Sequence, residues 1–394
     1  GGGSVIDCCK IISAQAKLDE DIWNFEYAKC GKPQEFIPMG AVVTAFGTGA
    51  EMNNGAVITN EEKKMKSPLW GAFYDFAVLD VGYTMTMPMK QVISGAFDSL
   101  SHSMETYMGS PREVNYSDEI NEATQRNIIR NIRATLNDPD DRQARSELIW
   151  AAAMAENGML KLGKVTDFQC HMLEHQLGAY TDCNHGQGLA VLHPALYRHM
   201  MPEANKKFAR LAVEVWSIST DGKTEAELAE SFINALAAFI KEIGLPTTLT
   251  EMGIDDTDLE AIAKSTIRTG GCVKKFTDEE LLECTTGVTI PSSEEFASLN
   301  LSHAVQILCY HMFRHTKKNL TGYTPIQLER LDKTVTTIAD SLQNIGFFSK
   351  TGRPDMEQFW RTILSRASLS ESEAQYIEKT FNKAAGLASH NMKT

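Results

Sequence analysis

The segment from residue 171 to residue 185, HMLEHQLGAYTDCNH, places three of the chain's ten histidines within fifteen positions. His171 and His175 are four residues apart, so on a helix both side chains lie on one face. His185 follows a loop that contains Asp182 and Asn184. Histidine is the commonest side-chain ligand for divalent transition metals. The spacing therefore indicates a metal centre that other parts of the chain complete.

A second candidate pair lies upstream in DSLSH, where Asp98 and His102 are also four residues apart. Three histidines and one aspartate could enclose a divalent ion and leave one position for a substrate oxygen. A metal held in this way acts as a Lewis acid and lowers the pKa of a bound hydroxyl.

Two other interpretations of these residues remain open at this point. A single histidine on an apolar helix is more often a core residue than a ligand, and this applies to His102 taken alone. The letters HMLEH also match H-x-x-E-H, the inverted zinc-peptidase motif, in which Glu174 would be the general base.

The apolar pattern predicts a small α/β part followed by a largely helical domain. Residues 36–60 and 75–80 combine short β-branched runs with Gly and Asn, which is typical of strands and tight turns. From residue 89 apolar residues recur at helical spacing, at Val92, Ile93, Ala96, Phe97, Leu100, Met104 and Tyr107. Further helical patterns cover 115–137, 141–160, 166–180, 187–200, 203–216, 224–243 and 256–266.

A domain boundary is predicted near residue 284, where a strand pattern and Pro291 precede a capped helix. Helical patterns then cover 328–346 and 354–388. The predicted domains are therefore 1–88, 89–283 and 284–394.

The composition argues against several classes of protein. The net charge is −13, which disfavours a nucleic-acid or anionic-membrane surface over most of the chain, because phosphates are bound by Lys and Arg. No apolar run reaches the roughly 18 residues of a membrane span, and the start carries no export-signal pattern. Eight irregularly spaced cysteines are typical of reduced thiols, so we expect a cytoplasmic protein.

The chain begins with a glycine-rich turn, GGGS, that leads directly into an amphipathic helix with Asp7 in its first turn. Free N–H groups and the helix dipole make such a turn a phosphate cradle. A cloning scar is the alternative for the three glycines. A cradle of this kind normally follows a buried strand. Because no strand precedes the turn in this sequence, we expect a truncated chain.

Five segments follow one another along the first part of the chain: GGGSVID, VVTAFGTGAEMNNGAVITNEE, FAVLDVGYTMTMP, GAFDSLSHSMETYM and CHMLEHQLGAYTDCNHGQGLAVLHPAL. In this order they resemble the iron-containing (group III) alcohol dehydrogenases over about residues 1–283. The butanol dehydrogenase branch is the most similar. The combination of D-x-x-x-H with H-x13-H is specific to this family, and it decides against the peptidase interpretation.

The resemblance implies a role for each matching residue. The metal ligands would be Asp98, His102, His171 and His185. His175 would be a proton-handling catalytic residue near the nicotinamide, and Glu174 would point elsewhere. The dinucleotide would be bound by Gly2, Gly3, Ser4, Asp7, Thr44, Thr48, Asn53 and Lys66. The family often has Ser at the position of Ala50, so one hydroxyl is missing here.

The resemblance also implies a reaction, which is reversible hydride transfer between a primary alcohol or aldehyde and NAD or NADP. The metal would be Fe²⁺, Zn²⁺ or another divalent ion, and the butanol branch favours NADP. Residues 1–88 would be part of a dinucleotide-binding α/β domain and 89–283 an all-helical catalytic domain. Because the family's dinucleotide-binding fold begins before GGGS, we expect weak or absent turnover. A homodimer is one assembly open to such a chain.

The tail segment VTIPSSEEFASLNLSHAVQILCYHMF resembles the last motif of a different family, the SPOUT-class tRNA 2'-O-ribose methyltransferases, and the resemblance covers about residues 284–394. In that family the segments that match Ile290, Pro291, Ser298, Leu299 and Asn300 border the S-adenosylmethionine pocket. The earlier methyltransferase motifs are missing, which predicts a chimera without methyltransferase activity. The alternatives are an RNA-binding protein, an inactive fusion of two fragments, or a helical dimerisation tail.

Overall fold

The structure, a computed structural model, describes residues 1–286, 326–348, 352–367 and 369–391. The chain divides into two compact units, Gly1–Val288 and Thr289–Thr394. Within the first unit, the predicted boundary at residue 88 stays a prediction. The tail residues that resemble a methyltransferase pocket, Ile290 to Asn300, lie outside the described residues.

The first part of unit one is a small α/β arrangement. Helix α1, Gly3–Gln15, is followed by the strands β1, Gly40–Val42, and β2, Gly55–Asn60. Strands β3, Met65–Trp70, and β4, Phe76–Val78, complete it. Strand β1 pairs with β4 in parallel, and β2 pairs with β3 in an antiparallel hairpin. The strands predicted within 36–60 and 75–80 are confirmed, whereas β3 was not predicted.

Eight helices follow within the described part of unit one. They are α2, Met89–Met108; α3, Tyr116–Asn137; α4, Arg142–Glu156; α5, Gln169–Thr181; α6, His185–Glu214; α7, Glu225–Glu242; α8, Leu259–Ser265; and α9, Asp278–Thr285. The predicted helical character of this region is confirmed. No described helix has the length and apolarity to cross a membrane.

Helix α6 corrects one prediction, because the patterns at 187–200 and 203–216 form a single helix. Pro194 and Pro202 both lie inside it. An internal proline costs a helix about 3 kcal/mol. The buried stripe of α6 nevertheless continues across both prolines, from Leu192 through Met200 to Phe208. Packing of this stripe against α7 and the rest of the core therefore outweighs the local preference to break.

Helix α2 lies at the centre of the helical core. All seven apolar residues that predicted this helix are buried, and several polar residues on its other faces are buried as well. A helix that is covered on all sides must find partners for its buried polar groups. These polar groups of α2 form much of the candidate site.

The second unit contains three described helices, α10, Leu328–Asn344, α11, Arg353–Ala367, and α12, Glu371–Asn391. Apolar side chains of α10 and α11, including Val335, Ile338 and Leu364, form its small core. Arg330 bridges Glu371 and Glu378 on α12. The helical patterns predicted in the tail are confirmed for these residues.

We expect Gly95→Ala to destabilise the protein by on the order of 1–3 kcal/mol, because a methyl group there would overlap the carbonyl oxygen of Phe46. Gly95 lies on α2 and lets the β1–β2 connection approach the helix. Thermal unfolding measures the effect. Gly270→Ala is the matched control, since its methyl group would contact nothing within 4 Å. Equal melting temperatures for the two variants would contradict this close approach.

Candidate metal centre

Three imidazoles converge on one carboxylate oxygen of the buried Asp98. The Nε2 atoms of His171, His185 and His102 lie 3.3, 3.4 and 3.5 Å from Asp98 Oδ1. The structure therefore brings together all four residues that the sequence indicated as metal ligands. Asp98, His171 and His185 also form a group whose ligand atoms all lie within 4.8 Å of one another.

Three helices supply these side chains. Asp98 and His102 are one turn apart on α2, and His171 lies in the first turn of α5. Asp182, the C-cap residue that follows α5, has a left-handed backbone conformation with φ of 52°. This conformation permits the short turn that places His185 at the first position of α6.

Hydrogen bonds fix the start of α6 against α2. Asn184 caps α6 through its side chain, which accepts from the Gln187 N–H. The Ser94 hydroxyl of α2 donates to the same Asn184 oxygen. The residue at the N-terminus of α6 is thereby held beside the helix that carries Asp98.

The charges of the group fit a divalent cation. Asp98, Glu105 and Glu174 are all buried carboxylates in contact with these imidazoles. Burial opposes ionisation of Asp98, yet the His102 and His185 imidazoles hold its pKa well below the usual value. Anionic oxygen beside several imidazole nitrogens is a donor set that Fe²⁺, Zn²⁺ and similar ions accept.

Two outer carboxylates orient the rings from behind. Burial lowers the pKa of His171, but Glu105 and Asp98 outweigh it and raise that pKa to about 10. The Glu105 Oε1 atom lies 2.8 Å from His171 Nδ1, and Glu174 contacts Nδ1 of His185. A cation at the Nε2 atoms would provide the positive charge that protons otherwise supply to these two imidazoles.

Sequence reasoning missed Glu105, although a signal was present. Glu105 follows His102 by three residues on α2, so it lies on the same side of that helix as the candidate ligands. Glu174 was expected to point away from the metal, and its side chain contacts the outer Nδ1 atom of His185 and not Asp98. Its side chain is fully buried and contacts both His185 and Lys66, because the turn between α5 and α6 folds back over it.

His175 lies next to the cage without contacting Asp98 in the described structure. Its ring centroid is 5.6 Å from that of His185 and 6.0 Å from that of His171. Burial, reinforced by Lys66, holds the pKa of His175 well below its usual value. Its Nδ1 atom has no hydrogen-bond partner among the described residues. A neutral imidazole with a free nitrogen beside the cage is available for proton transfer.

Two other groups have metal-like spacing, and the cage is favoured over both. One comprises Glu174, His175 and His185, and the other comprises Glu105, Cys170 and His193. In each, the carboxylate already contacts the Nδ1 atom of a cage histidine. These carboxylates therefore support the cage from outside.

The glycine-rich turn that the sequence predicts as a phosphate cradle lies at the start of α1. Gly2 is the N-cap of this helix, and Ser4 is exposed in its first turn. A methyl group on Gly3 would lie 2.8 Å from the Thr48 side chain. The Thr44 N–H donates to the Gly1 carbonyl at 2.9 Å. The structure thus brings the glycines and both threonines together at one helix N-terminus.

Asp7, Asn53 and Lys66 make contacts within the protein instead of lining the cradle openly. Asp7 accepts from the Val57 N–H at 2.9 Å. Asn53 accepts from Lys10 Nζ at 3.0 Å and donates to the Gly49 carbonyl at 3.1 Å. These bonds fix the turn between β1 and β2. Lys10, which sequence reasoning missed, lies one turn after Asp7 on α1 and is buried.

The chain resembles known proteins over both parts of unit one. A family model described as Fe-containing alcohol dehydrogenase family, C-terminal, matches residues 92–283, and one described as iron-containing alcohol dehydrogenase matches residues 1–81. The chain is 37% identical over 287 residues to the probable NADH-dependent butanol dehydrogenase 1 of Bacillus subtilis. That alignment covers 72% of this chain and 74% of the relative.

Two further similarities each cover about two thirds or more of both chains. The NADPH-dependent aldehyde reductase YqhD of Escherichia coli is 34% identical, with 67% of this chain and 69% of the relative covered. The crystal structure of the NADH-dependent butanol dehydrogenase A from Thermotoga maritima superposes with a TM-score of 0.67 and 31% identity. It covers 72% of this chain and 74% of that chain.

The chain belongs to the iron-containing alcohol dehydrogenase family. The matched helical part contains all four cage residues, and the matched first part contains the cradle. The resemblance to a methyltransferase, which concerns residues 284–394, stays a prediction.

We expect Asp7→Asn to raise the melting temperature, and to raise it more at about pH 7.5 than at about pH 5. Burial raises the pKa of Asp7 from 3.8 to about 6, so the cost of its charge develops as the pH rises through this interval. An asparagine can still accept from the Val57 N–H. Burial lowers the pKa of Lys10 only to about 8, above the interval.

Melting curves at the two pH values measure this difference. The control is Asp19→Asn, which changes an exposed aspartate shortly after the same helix and should leave the curves nearly unchanged. A stabilisation by Asp7→Asn that is equal at both pH values would contradict the assignment.

Proposed function

We propose that the protein is a metal-dependent alcohol dehydrogenase that transfers hydride reversibly between a primary alcohol or aldehyde and a nicotinamide dinucleotide. The observation that carries this proposal is the convergence of three imidazole Nε2 atoms on one buried carboxylate oxygen of Asp98. Family membership supports it, since the named relatives are butanol dehydrogenases and an aldehyde reductase.

Asp98, His102, His171 and His185 would hold one divalent metal ion, Fe²⁺, Zn²⁺ or a similar cation. When bound, this ion supplies Lewis-acid polarisation of the substrate oxygen. Glu105 holds the His171 ring so that Nε2 points at the cage. Fixing the tautomer in this way is the usual task of an outer carboxylate.

His175 would handle the proton of the substrate hydroxyl. It is buried beside two cage histidines and is held neutral by its surroundings, with Nδ1 free of protein partners among the described residues. A neutral imidazole can accept a proton during alcohol oxidation and return it during aldehyde reduction.

The cradle of Gly2, Gly3, Ser4 and Thr48 would bind the pyrophosphate of the dinucleotide at the N-terminus of α1. Thr44, Asp7 and Asn53 would act by shaping the adjoining turn, and Lys66 would contact the dinucleotide from β3. The names of the relatives divide between NADH and NADPH, so the proposal covers both cofactors.

Metal content tests the cage directly. We expect about one divalent ion per chain in the purified protein, and loss of that ion in the double variant His171→Ala, His185→Ala, because two of four ligands are removed. Elemental analysis by mass spectrometry measures the ratio. His199→Ala is the control, since this histidine lies on α6 outside the cage and contacts Glu283. Equal metal content in the wild type and the double variant would refute the site.

Enzyme assays test the reaction. We expect any 1-butanol oxidation with NAD or NADP to require the metal, and His175→Ala to lower kcat by about 10²–10⁴-fold while metal content is retained. The reduced nicotinamide is followed by its absorbance. Full activity of His175→Ala would remove this residue from the proton path, and turnover by the metal-free double variant would overturn the proposed chemistry.

A further inference from the structure

Glu174 makes contacts to three parts of the fold from a fully buried position on α5. Its Oε2 atom contacts His185 Nδ1 at the start of α6 and lies 3.4 Å from Lys66 Nζ on β3. Its Oε1 atom accepts from the Cys183 thiol at 3.9 Å. One carboxylate thus connects a cage histidine, a strand of the first part of the chain and the α5–α6 turn.

Two glycines leave room for the side chains of this ion pair. A methyl group on Gly188 would lie 2.9 Å from Glu174 Cγ, and one on Gly178 would lie 3.2 Å from Lys66 Nζ. The Gln176 side chain donates to the Lys66 carbonyl at 3.1 Å, so β3 is fixed to α5 by its backbone as well.

The contacts determine which nitrogen of His185 is the donor. Glu174 contacts His185 at Nδ1 and also faces the Lys66 ammonium, so its carboxylate is the acceptor at this nitrogen. Nδ1 therefore carries the proton, and Nε2, 3.4 Å from Asp98 Oδ1, is the nitrogen that faces the cage. A buried ion pair alone would be weak evidence for a stabilising role.

We infer that Glu174 is a positioning residue of the metal centre, which holds the His185 ring with Nε2 directed into the cage. Lys66 is the countercharge of this carboxylate and ties β3 to the same ligand. The inference rests on the proposed function, because it assigns a role toward the metal of that site.

Replacing Glu174 and replacing Lys66 should have different effects on metal binding. Removing the carboxylate charge leaves His185 without a strong acceptor at Nδ1, which makes Nε2 a poorer ligand. Removing the Lys66 ammonium leaves the carboxylate in place and takes away a competitor for its oxygen. Glu174→Gln should therefore weaken metal binding, whereas Lys66→Met should not.

The test uses Co²⁺ binding to the full chain. Competition with a chelator gives the affinity, and the visible absorption of bound Co²⁺ reports the coordination geometry. We expect Glu174→Gln to bind Co²⁺ about 10–100-fold more weakly than the wild type, with a changed spectrum. We expect Lys66→Met to bind at least as tightly as the wild type.

Glu122→Gln is the matched control. Glu122 is also a buried glutamate in an ion pair, 2.5 Å from Arg210 Nε, but it lies on α3 and touches none of the cage residues. This variant should retain wild-type Co²⁺ affinity. A loss of Co²⁺ affinity in Glu122→Gln equal to that in Glu174→Gln would overturn the inference, because the effect would then be general to buried carboxylates.

Three other outcomes separate the inference from the function on which it rests. Wild-type affinity and spectrum in Glu174→Gln would overturn the inference alone. Equal weakening by Lys66→Met would also overturn it, since the ion pair and not the carboxylate would then matter. Failure of the wild type to bind Co²⁺ would overturn the proposed function.

If circular dichroism shows that Glu174→Gln does not fold, the variant Glu174→Asp replaces it in the test. Glu174→Asp keeps the negative charge for Lys66 but withdraws the oxygen from His185. We expect it to bind Co²⁺ more weakly than the wild type, and unchanged affinity would overturn the inference.

Discussion

The contact of three imidazoles with the buried Asp98 carboxylate is the constraint on which the rest of the first unit depends. An uncompensated carboxylate in a protein interior is very costly, so the four side chains must be brought together by the fold. This requires α2 to run through the centre of the core. It also requires α5 and α6 to meet at a turn short enough to bring His171 and His185 to one point.

The outer carboxylates extend the same constraint to the rest of the fold. Glu105 comes from the helix that carries Asp98, whereas Glu174 comes from α5 and reaches the cage histidine His185 on α6. Each is buried and each holds the Nδ1 atom of a cage histidine. Glu174 also forms an ion pair with Lys66 on β3. The first part of the chain and the helical part therefore share one network of charges.

Local periodicity predicted most of the helical part, because an amphipathic or fully buried helix repeats its apolar residues every three or four positions. The pairs Asp98 with His102 and His171 with His175 were visible for the same reason. The family resemblance, and not spacing, selected His185 over His175 as the fourth cage residue. Periodicity failed at Pro194 and Pro202, where tertiary packing overrides a local helix-breaking preference.

Contacts between distant segments could not be predicted from the sequence. Strand β3 begins among charged residues and contains Pro68, so its pattern did not indicate a strand, although pairing with β2 forms it. The contact between Lys66 and Glu174 joins residues that are far apart in the chain, and it depends on how the hairpin docks on α5. The position of the hairpin on α5 depends on tertiary packing, which a local sequence pattern does not reveal.

The letters H-x-x-E-H show why a short motif does not determine chemistry. On α5 the residues His171, Glu174 and His175 have the spacing of an inverted zinc-peptidase site. Here the Nε2 atom of His171 faces Asp98, while Glu174 contacts the ring of His185 at Nδ1, on the side away from the cage. From that position the glutamate contacts the outer nitrogen of the imidazole and not Asp98. The same spacing therefore yields a different site because α6 supplies a histidine at its first residue.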